Sequence, residues 1–197
     1  MTSERNSRPS RVDRETIVAA ALRLLDEFGL ADVSMRRLAG ELGVQPSALY
    51  WHISNKQELL AAVADRIVPP APVLLGEDLS PAAVARRLRA SLLAHRDGAE
   101  VVLSTYALSL GTSPAAAALQ AALRPAVAAE LRPTVAAAVL QFVLGNASVL
   151  QQRLTALRFG ALTGDEQVMT AASDAEFTVG LDALLAGVAH RADRTVG

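Results

Sequence analysis

The sequence predicts an all-α fold, in which a small N-terminal three-helix unit with a helix-turn-helix precedes a larger helical body. Of the 197 residues, 39 are alanine, and only 4% are aromatic. Alanine and leucine favour helix, whereas runs of alternating β-branched and aromatic residues, which mark strands, are absent from the sequence. Glycine, proline and capping residues divide the chain into segments of helical length.

The chain begins with a polar stretch and a capped helix. Residues 1–12 are predicted to be a disordered tail, which carries Arg5, Arg8 and Arg11. Asp13 is expected to cap a first helix that runs to about Phe28 and ends at Gly29. The apolar residues of this helix recur on one face, so one side points inward.

Two short helices and a connecting helix follow. Ser34 caps the second helix, Gly43 turns the chain, and Pro46 opens a third helix of about two turns. Ser54 and Gln57 have the spacing of a capping box for a fourth helix, which ends at Pro69-Pro70. After a loop over 69–80, long alanine-rich helices are expected near 81–96, 99–110, 114–129, 133–157 and 174–191, with a loop around 160–172 that has room for a short helix.

The stretch VSMRRLAGELGVQPSALYWHI, residues 33–53, predicts a helix-turn-helix. The second helix of such a motif presents its N-terminal end and outer face to a DNA major groove. The side chains predicted to contact DNA are Arg36, Pro46, Ser47, Ala48, Tyr50, His52 and Lys56. An ordinary three-helix packing unit is the alternative, but outward-facing Tyr50-Trp51-His52 beside Lys56 favours DNA binding in so aromatic-poor a chain.

The net charge of −1 argues, taken alone, against a nucleic-acid partner. Residues 1–60 hold eight basic and eight acidic side chains, yet residues 33–57 hold Arg36, Arg37 and Lys56 against Glu41 alone. Charges beyond a Debye length of about 8–10 Å are screened, so this local excess decides contact with phosphate. The acids of the first helix can point away. The arginines of the tail are equally consistent with a minor-groove arm and with a solvated segment.

Composition excludes several other kinds of site. Without cysteine there are no disulfides, thiolate metal sites or cysteine nucleophiles. The three histidines lie in different segments and there is no glycine-rich phosphate loop, so we expect neither an enzyme nor a cofactor. The N-terminus lacks the apolar run of a signal peptide, which predicts a cytoplasmic protein. The apolar run 134–150 is shorter than the ~20 residues a bilayer needs and contains Gln141 and Asn146, so no membrane span is expected.

These residues resemble a known family. The segments LAGELGVQPSALYWHISNKQELL, HRDGAEVVLST and DAEFTVGLDALLAG look like the TetR family of bacterial transcription regulators, and in particular its tetracycline-repressor branch. The resemblance implies DNA contacts at the positions named above and a homodimer on a palindromic operator. It also implies a four-helix bundle built from 133–157 and 174–191 of both subunits. The implied organisation is a tail (1–12), a helix-turn-helix DNA-binding domain (13–58) and a ligand-binding and dimerisation domain (59–191).

The resemblance fails at the ligand site. In the tetracycline repressor a histidine holds the magnesium–tetracycline chelate, and ungapped alignment through HRDGAEVVLST places Val102 there. Other contact positions fall on residues such as Pro72 and Val84, and only Thr105 is retained. Valine and proline offer magnesium no ligand, so no metal site and an uncharged or weakly polar, mostly hydrophobic effector are predicted. The candidate cavity residues are Leu88, Leu92, Val102, Thr105, Tyr106, Ser109, Gln141, Phe142 and Asn146; for each polar one, a core hydrogen bond or a dimer contact is the alternative.

The predicted function is a repressor that a small effector releases from DNA, with the helix over 55–68 transmitting the change. The alternatives are a transcriptional activator, and a helical small-molecule-binding or adaptor protein that keeps a non-functional helix-turn-helix. His95 alone is a weak ligand candidate. The following Asp97-Gly98 is expected to form a turn in which Asp97 caps the next helix.

Overall fold

The structure, a computed structural model, describes residues 12–111 and 113–194, and these form α-helices and no strand. The predicted all-α fold is confirmed. The predicted tail, with Arg5, Arg8 and Arg11, lies outside the described residues apart from Val12. The helices are α1 (Arg14–Phe28), α2 (Met35–Glu41), α3 (Pro46–Tyr50), α4 (Lys56–Ile67), α5 (Ala71–Leu75), α6 (Pro81–Leu93), α7 (Gly98–Ala107), α8 (Pro114–Ala122), α9 (Arg132–Arg158) and α10 (Glu166–Arg194).

The caps of α1 and α2 are the predicted ones. Asp13 Oδ1 accepts a hydrogen bond from the Thr16 amide at 2.8 Å, and this bond lowers the pKa of Asp13 below its usual value. Ser34 Oγ accepts from the Arg37 amide at 3.2 Å. Each oxygen satisfies an amide that has no partner within its own helix, which is why the helices begin at these residues.

The cap of α4 differs from the prediction by one residue. Asn55 Oδ1 accepts from the Glu58 amide at 2.9 Å, and Glu58 Oε2 accepts in return from the Ser54 amide at 2.8 Å. The predicted pair of Ser54 and Gln57 is therefore wrong. Asn55 is the residue with extended backbone before the helix, so only its side chain can reach the third amide of α4.

The apolar core of the three-helix unit is continuous with that of the body, and two ion pairs join the outer helices of the unit. Large side chains from α1, α2, α3 and the start of α4 are fully buried in it: Ile17, Leu25, Leu38, Leu49, Ile53 and Leu59. At the surface, Arg14 pairs with Glu58 at 2.7 Å and Arg66 pairs with Glu15. These bridges run from the first turn of α1 to both ends of α4, so they hold the start of α1 against α4.

Three elements of the body depart from the predicted boundaries. The helix predicted near 114–129 is α8, which ends at Ala122. The predicted loop over 69–80 contains α5, whose last turn is closed by hydrogen bonds from Arg87 Nη1 to the carbonyls of Leu74 (2.9 Å) and Leu75 (2.6 Å). The last helix begins at Glu166, not near 174, because Asp165 Oδ1 accepts from the amides of its first turn. The corrections at α5 and α10 come from side-chain caps that hydrophobic periodicity does not reveal.

The central element of the body is α9, which packs against α6, α7, α8 and α10. Among the described residues, α9 is the one helix long and apolar enough to cross a membrane by length and composition. Its buried positions repeat at helical spacing, as Ala136, Val139, Leu140, Val143, Leu144 and Ala147. Packing against four helices accounts for this apolar character.

A buried arginine links three helices of the body. Arg89 on α6 donates from Nε to Asn146 Oδ1 (2.7 Å), from Nη1 to Asp174 Oδ1 (2.6 Å) and from Nη2 to Ser173 Oγ (3.0 Å). Its guanidinium also lies 4.8 Å from the centre of the Phe177 ring. Because every nitrogen of the fork has a partner, the charge is tolerated inside the body.

We predict that Arg89→Ala lowers the free energy of unfolding by about 3 kcal/mol, the cost of leaving a buried charged pair without one partner. Because Asp174 remains in contact with water, we do not expect a larger loss of free energy of unfolding. Urea denaturation followed by circular dichroism at fixed protein concentration measures it.

The matched control is Arg86→Ala on the same helix, whose exposed side chain lies 4.0 Å from Asp182. Its effect should stay within about 0.5 kcal/mol. Equal losses in the two variants would contradict the role given to Arg89.

Candidate functional site

The helix-turn-helix consists of α2 and α3, joined by a turn at Gly43. Gly43 has a φ of +65°, a left-handed conformation that favours glycine over residues with a side chain. Leu49 of α3 and Ile53 beyond it are fully buried and hold α3 on the unit. The opposite face of α3 is therefore left toward solvent.

The predicted DNA-contacting residues lie at the surface. Arg36, Pro46, Ser47, Tyr50, His52 and Lys56 are exposed, and Ala48 is half-buried. Tyr50 keeps 51% of its surface exposed, which is unusual for a large aromatic side chain in a unit with a well-filled core. The structure thus makes these positions available to a partner; their contact with DNA stays a prediction.

Trp51 is missing from the predicted contacts. It is 88% exposed and follows Tyr50 at the end of α3, so two large aromatic side chains stand at the surface side by side. The signal in the sequence is its rarity, because Trp51 is the only tryptophan.

Arg37 is engaged within the unit. It pairs with Asp32, and its guanidinium lies 3.8 Å from the centre of the Phe28 ring. This ion pair corrects the local charge count made from the sequence. Arg36 and Lys56, without Arg37, carry the basic charge of the predicted DNA-binding surface. The Asp32 carboxylate precedes the counted window, and only the fold brings it to Arg37.

The N-terminus of α4 places Lys56 beside the helix-turn-helix. Lys56 is its first residue and is exposed, and the amides of Ser54 and Glu58 are held by the cap described above. The Ser54 amide and the Arg14 guanidinium stabilise the Glu58 carboxylate and lower its pKa to about 2. The cap is therefore ionised and intact at neutral pH.

A cavity of about 270 Å³ lies in the body between α4, α7, α8 and α9. Val102, Thr105, Tyr106 and Ser109, all predicted as pocket residues, line it together. The other lining residues were not predicted: Ala64, Asp65, Val68, Leu110, Gly111, Ser113, Pro114, Ala115, Leu140 and Leu144. They come from α4, from the segment after α7, and from α8 and α9, which the sequence alone did not bring together.

The remaining predicted pocket residues lie elsewhere. Leu88 and Leu92 are fully buried in the core, and Gln141 is exposed on α9. Phe142 stacks on Phe177 with ring centres 5.6 Å apart, and a Cβ on Gly180 would come within 2.6 Å of the Phe142 ring. Asn146, as shown above, accepts from Arg89. These five do not line this cavity, because helical rotation along α6 and α9 directs them to other neighbours.

The loop between α6 and α7 joins the body to the three-helix unit. His95 Nδ1 lies 3.1 Å from Asp26 Oδ2, Arg96 Nη1 donates to the Glu27 carbonyl (2.9 Å), and Asp97 Oδ2 accepts from the Leu30 amide (2.8 Å). The prediction that the Asp97 side chain caps α7 is therefore wrong. The φ of +53° at Asp97 turns the carboxylate to the neighbouring unit instead.

Gln151 of α9 fixes this loop from the other side. Its Nε2 donates to the carbonyls of Leu92 (3.1 Å) and His95 (2.7 Å), and its Oε1 accepts from the Ala99 amide (3.0 Å). A hydrogen-bonded path thus runs from α9 through the loop to the end of α1. Among the described residues, no three His, Cys, Asp or Glu side chains cluster in a way that could hold a metal ion.

A protein-family model for bacterial regulatory proteins of the tetR family matches residues 17–63, which contain α2, α3 and most of α4. The tetracycline repressor protein class G of Vibrio anguillarum is 31% identical over 212 aligned positions, which cover 90% of this chain and 94% of that protein. The chain belongs to the TetR family. The class D repressor of Escherichia coli is 38% identical over 104 residues, 49% of this chain, so the chain spans about half (47%) of that relative's length.

Solved structures of TetR-family proteins resemble the whole fold. Mycobacterium smegmatis BioQ has a TM-score of 0.81 and 37% identity, and the match covers 91% of this chain and 99% of that chain. BioQ with its natural double-stranded DNA operator has a TM-score of 0.75 at 36% identity, with the same coverage. Streptomyces coelicolor ActR in complex with (S)-DNPA has a TM-score of 0.71 at 29% identity, over 93% of this chain and 100% of that one.

The Glu58 cap gives a prediction on pH. We expect Glu58→Gln to lower the free energy of unfolding at pH 7 and the difference from wild type to shrink as the pH falls from about 4.5 towards 2. The folded-state pKa is depressed, so the unfolded chain binds more protons in this window and the contribution is lost on acidification. Urea denaturation at pH 7, 4 and 3 measures the difference.

Glu41→Gln, an exposed acid on α2, is the control and should show no such convergence with wild type. A Glu58→Gln defect that stays constant across this pH range would show that the carboxylate charge does not stabilise the cap.

Proposed function

We propose that the chain is a ligand-responsive transcriptional repressor that binds a palindromic operator as a homodimer and is released by a small organic effector. The observation that supports this most is the surface of α3, which keeps Tyr50 and Trp51 exposed beside Lys56 although the rest of the unit buries its large apolar side chains. Operator DNA is bound by BioQ, which shares the whole fold.

The side chains around α3 suit the two tasks of DNA recognition. Lys56, at the start of α4, can place its ammonium on a phosphate next to the positive end of the helix dipole. Ser47 and Tyr50 can reach base edges or phosphates with their hydroxyl groups, and Arg36 can reach guanine with two parallel hydrogen bonds. Phosphate contacts set position and base contacts set the sequence that is read.

The exposed faces of α9 and α10 support the proposed homodimer. Small and apolar side chains on both helices remain exposed, among them Ala138, Val149, Val168, Ala172, Val179 and Ala183. Small residues let helix axes approach closely, and a two-fold dimer covers such a face with its own copy. In a dimer, two copies of α3 can read half-sites about 34–36 Å apart.

The cavity and the DNA-binding surface share α4. Ala64, Asp65 and Val68 line the cavity at the C-terminal end of this helix, and Lys56 lies at its other end. A helix of 12 residues is about 18 Å long, so a small tilt at the cavity moves Lys56 and the attached unit. An effector shifts the equilibrium only if it binds the tilted state more tightly.

The loop at 95–97 is a second path between the same two parts. Its hydrogen bonds to Asp26, Glu27 and Leu30 fix the end of α1, and Gln151 fixes it to α9. Movement of α4 therefore changes the angle between the unit and the body around this anchor. Because the three-helix unit is attached to the body both by a continuous helix and by this loop, we expect the unit to rotate relative to the body and not to separate from it.

We infer that the effector is not a metal–tetracycline chelate. Val102, at the position aligned with the metal-binding histidine of the tetracycline repressor, lines the cavity with an apolar side chain. The chain is proposed not to be an enzyme, and as a DNA-binding regulator it would act in the cytoplasm. No observation favours the activator or adaptor alternatives.

We predict that Lys56→Ala weakens binding to the chain's own upstream intergenic DNA and lowers the salt dependence of binding by about two phosphate contacts per dimer, one for each subunit. Tyr50→Ala should weaken the same binding. Fluorescence anisotropy at several salt concentrations measures both effects.

The control is Arg86→Ala, which removes a positive charge from the body and should leave DNA affinity unchanged. If both Lys56→Ala and Tyr50→Ala bind DNA like wild type, the recognition surface is placed wrongly. If wild type shows no sequence-selective binding, the proposed function fails.

A second prediction concerns metal. Tetracycline, with or without magnesium, should not raise the melting temperature of the protein, because no imidazole stands at Val102 to complete the chelate. A thermal-shift titration with the class D tetracycline repressor as the positive control measures this. A magnesium-dependent shift for this protein would refute the inference.

A further inference from the structure

The sequence places its single side-chain amine on the predicted DNA-binding surface. Lys56 is the only lysine among the 19 basic residues, and all the others are arginines. An arginine guanidinium stays protonated and has no free lone pair, whereas a lysine ammonium can lose its proton and react as an amine. A reagent that modifies amines therefore finds one side chain in this protein.

Lys56 is also accessible and is not held by the protein. It is exposed at the first position of α4. Three arginines of the same unit, Arg14, Arg37 and Arg66, each form an ion pair with a carboxylate. Among the residues that the structure describes, Lys56 takes part in no such pair. Its ammonium is therefore available both to a DNA phosphate and to a reagent in solution.

A crevice of about 510 Å³ beside Lys56 gives a reagent room to approach. It lies between the three-helix unit and the body, and Lys56 lines it together with Leu30 and Ala31 on one side and Thr155 and Ala156 of α9 on the other. A small acyl donor can reach Nζ from this crevice. Once the side chain is a neutral amide, its acyl group can lie against the apolar walls, away from the DNA.

We propose that Lys56 is an acylation site, at which an acyl phosphate transfers its acyl group to Nζ and thereby switches off the surface of α3. This inference rests on the proposed function and adds an input that does not pass through the effector cavity. It also gives a consequence to the presence of a single lysine, because no other side chain competes for the acyl group.

The reaction needs no further reagent. The ammonium first gives up a proton to water, and the lone pair of the amine attacks the carbonyl carbon of the acyl phosphate. The new C–N bond forms, the bond from the same carbon to the phosphate oxygen breaks, and the nitrogen loses a second proton. The products are an amide and inorganic phosphate, so nothing is oxidised or reduced.

The amide removes a large part of the positive charge that would meet DNA. Arg36 and Lys56 carry the basic charge of the predicted surface, so acylation leaves Arg36 alone. Acetylation of a lysine abolishes its charge and its contact with phosphate. One contact is lost in each subunit and two in a dimer, which should lower DNA affinity about tenfold at about 0.1 M salt.

The experiment treats full-length protein with acetyl phosphate and compares its DNA binding before and after. Peptide mass spectrometry locates the acetyl groups, and fluorescence anisotropy with the upstream intergenic DNA measures affinity. Wild type should be acetylated at Lys56, bind about tenfold more weakly and show a salt dependence lowered by about two phosphate contacts per dimer. Lys56→Arg has no side-chain amine, so its own affinity should be the same before and after treatment.

A matched control moves the lysine to the body. Lys56→Arg combined with Arg86→Lys has its one lysine on α6, where Arg86 is exposed. Treatment should acetylate this lysine without changing DNA affinity. An excess of the upstream DNA should slow the acetylation of Lys56 in wild type and leave that of the relocated lysine unchanged, because only Lys56 lies under the DNA.

A Lys56 that stays unmodified overturns the inference, and so does acetylated wild type that binds DNA as before. The untreated protein tests the proposed function separately. Wild type without sequence-selective DNA binding removes the repressor itself. Intact DNA binding that acetyl phosphate does not weaken leaves the repressor standing and removes only the acylation site.

Discussion

The continuity of α4 is the constraint on which the rest of the molecule depends. Its first turns complete the core of the three-helix unit through Leu59 and Val63, and its last turn closes the cavity through Ala64 and Val68. A continuous helix resists bending because each turn is hydrogen-bonded to the next. The two parts therefore cannot move independently, and in the proposed function α4 and the 95–97 loop together connect a ligand in the body to the surface of α3.

Two polar side chains, the half-buried Gln151 and the buried Arg89, hold the body in the arrangement that α4 requires. Gln151 satisfies two carbonyls and an amide of the α6–α7 loop, and Arg89 satisfies groups on α9 and α10. If either side chain lost its hydrogen-bond partners, the folded state would be destabilised, because a polar group that leaves water without gaining a partner loses its solvation. Such groups specify one packing of alanine-rich helices whose apolar faces are otherwise similar. The exposed face of α9 and α10 and the contact between body and three-helix unit then have fixed positions relative to the cavity.

The electrostatics of each site in this protein depends on nearby charges and not on the net charge of the chain. The total charge of −1 describes neither the predicted DNA-binding surface nor the cavity. On the surface, Arg37 is withdrawn by Asp32 and Phe28, so the face relies on fewer cations than the composition suggests. In the cavity, Asp65 is the one acidic residue among the fourteen that line it. In both places the position of a charge relative to its neighbours matters more than the count.

The sequence was sufficient for the helical class, the helix-turn-helix, the caps at Asp13 and Ser34 and the family, because these depend on local propensity, capping chemistry and a contiguous motif. It was also sufficient to place Val102 and Thr105 in one cavity, since both lie on one short helix. Only the tertiary structure decided that Asp65 joins them, that Phe142 and Asn146 face α10 and α6, and that Asp97 binds Leu30. These depend on helix rotation and on contacts between residues far apart in the chain, for which a single sequence carries no local signal.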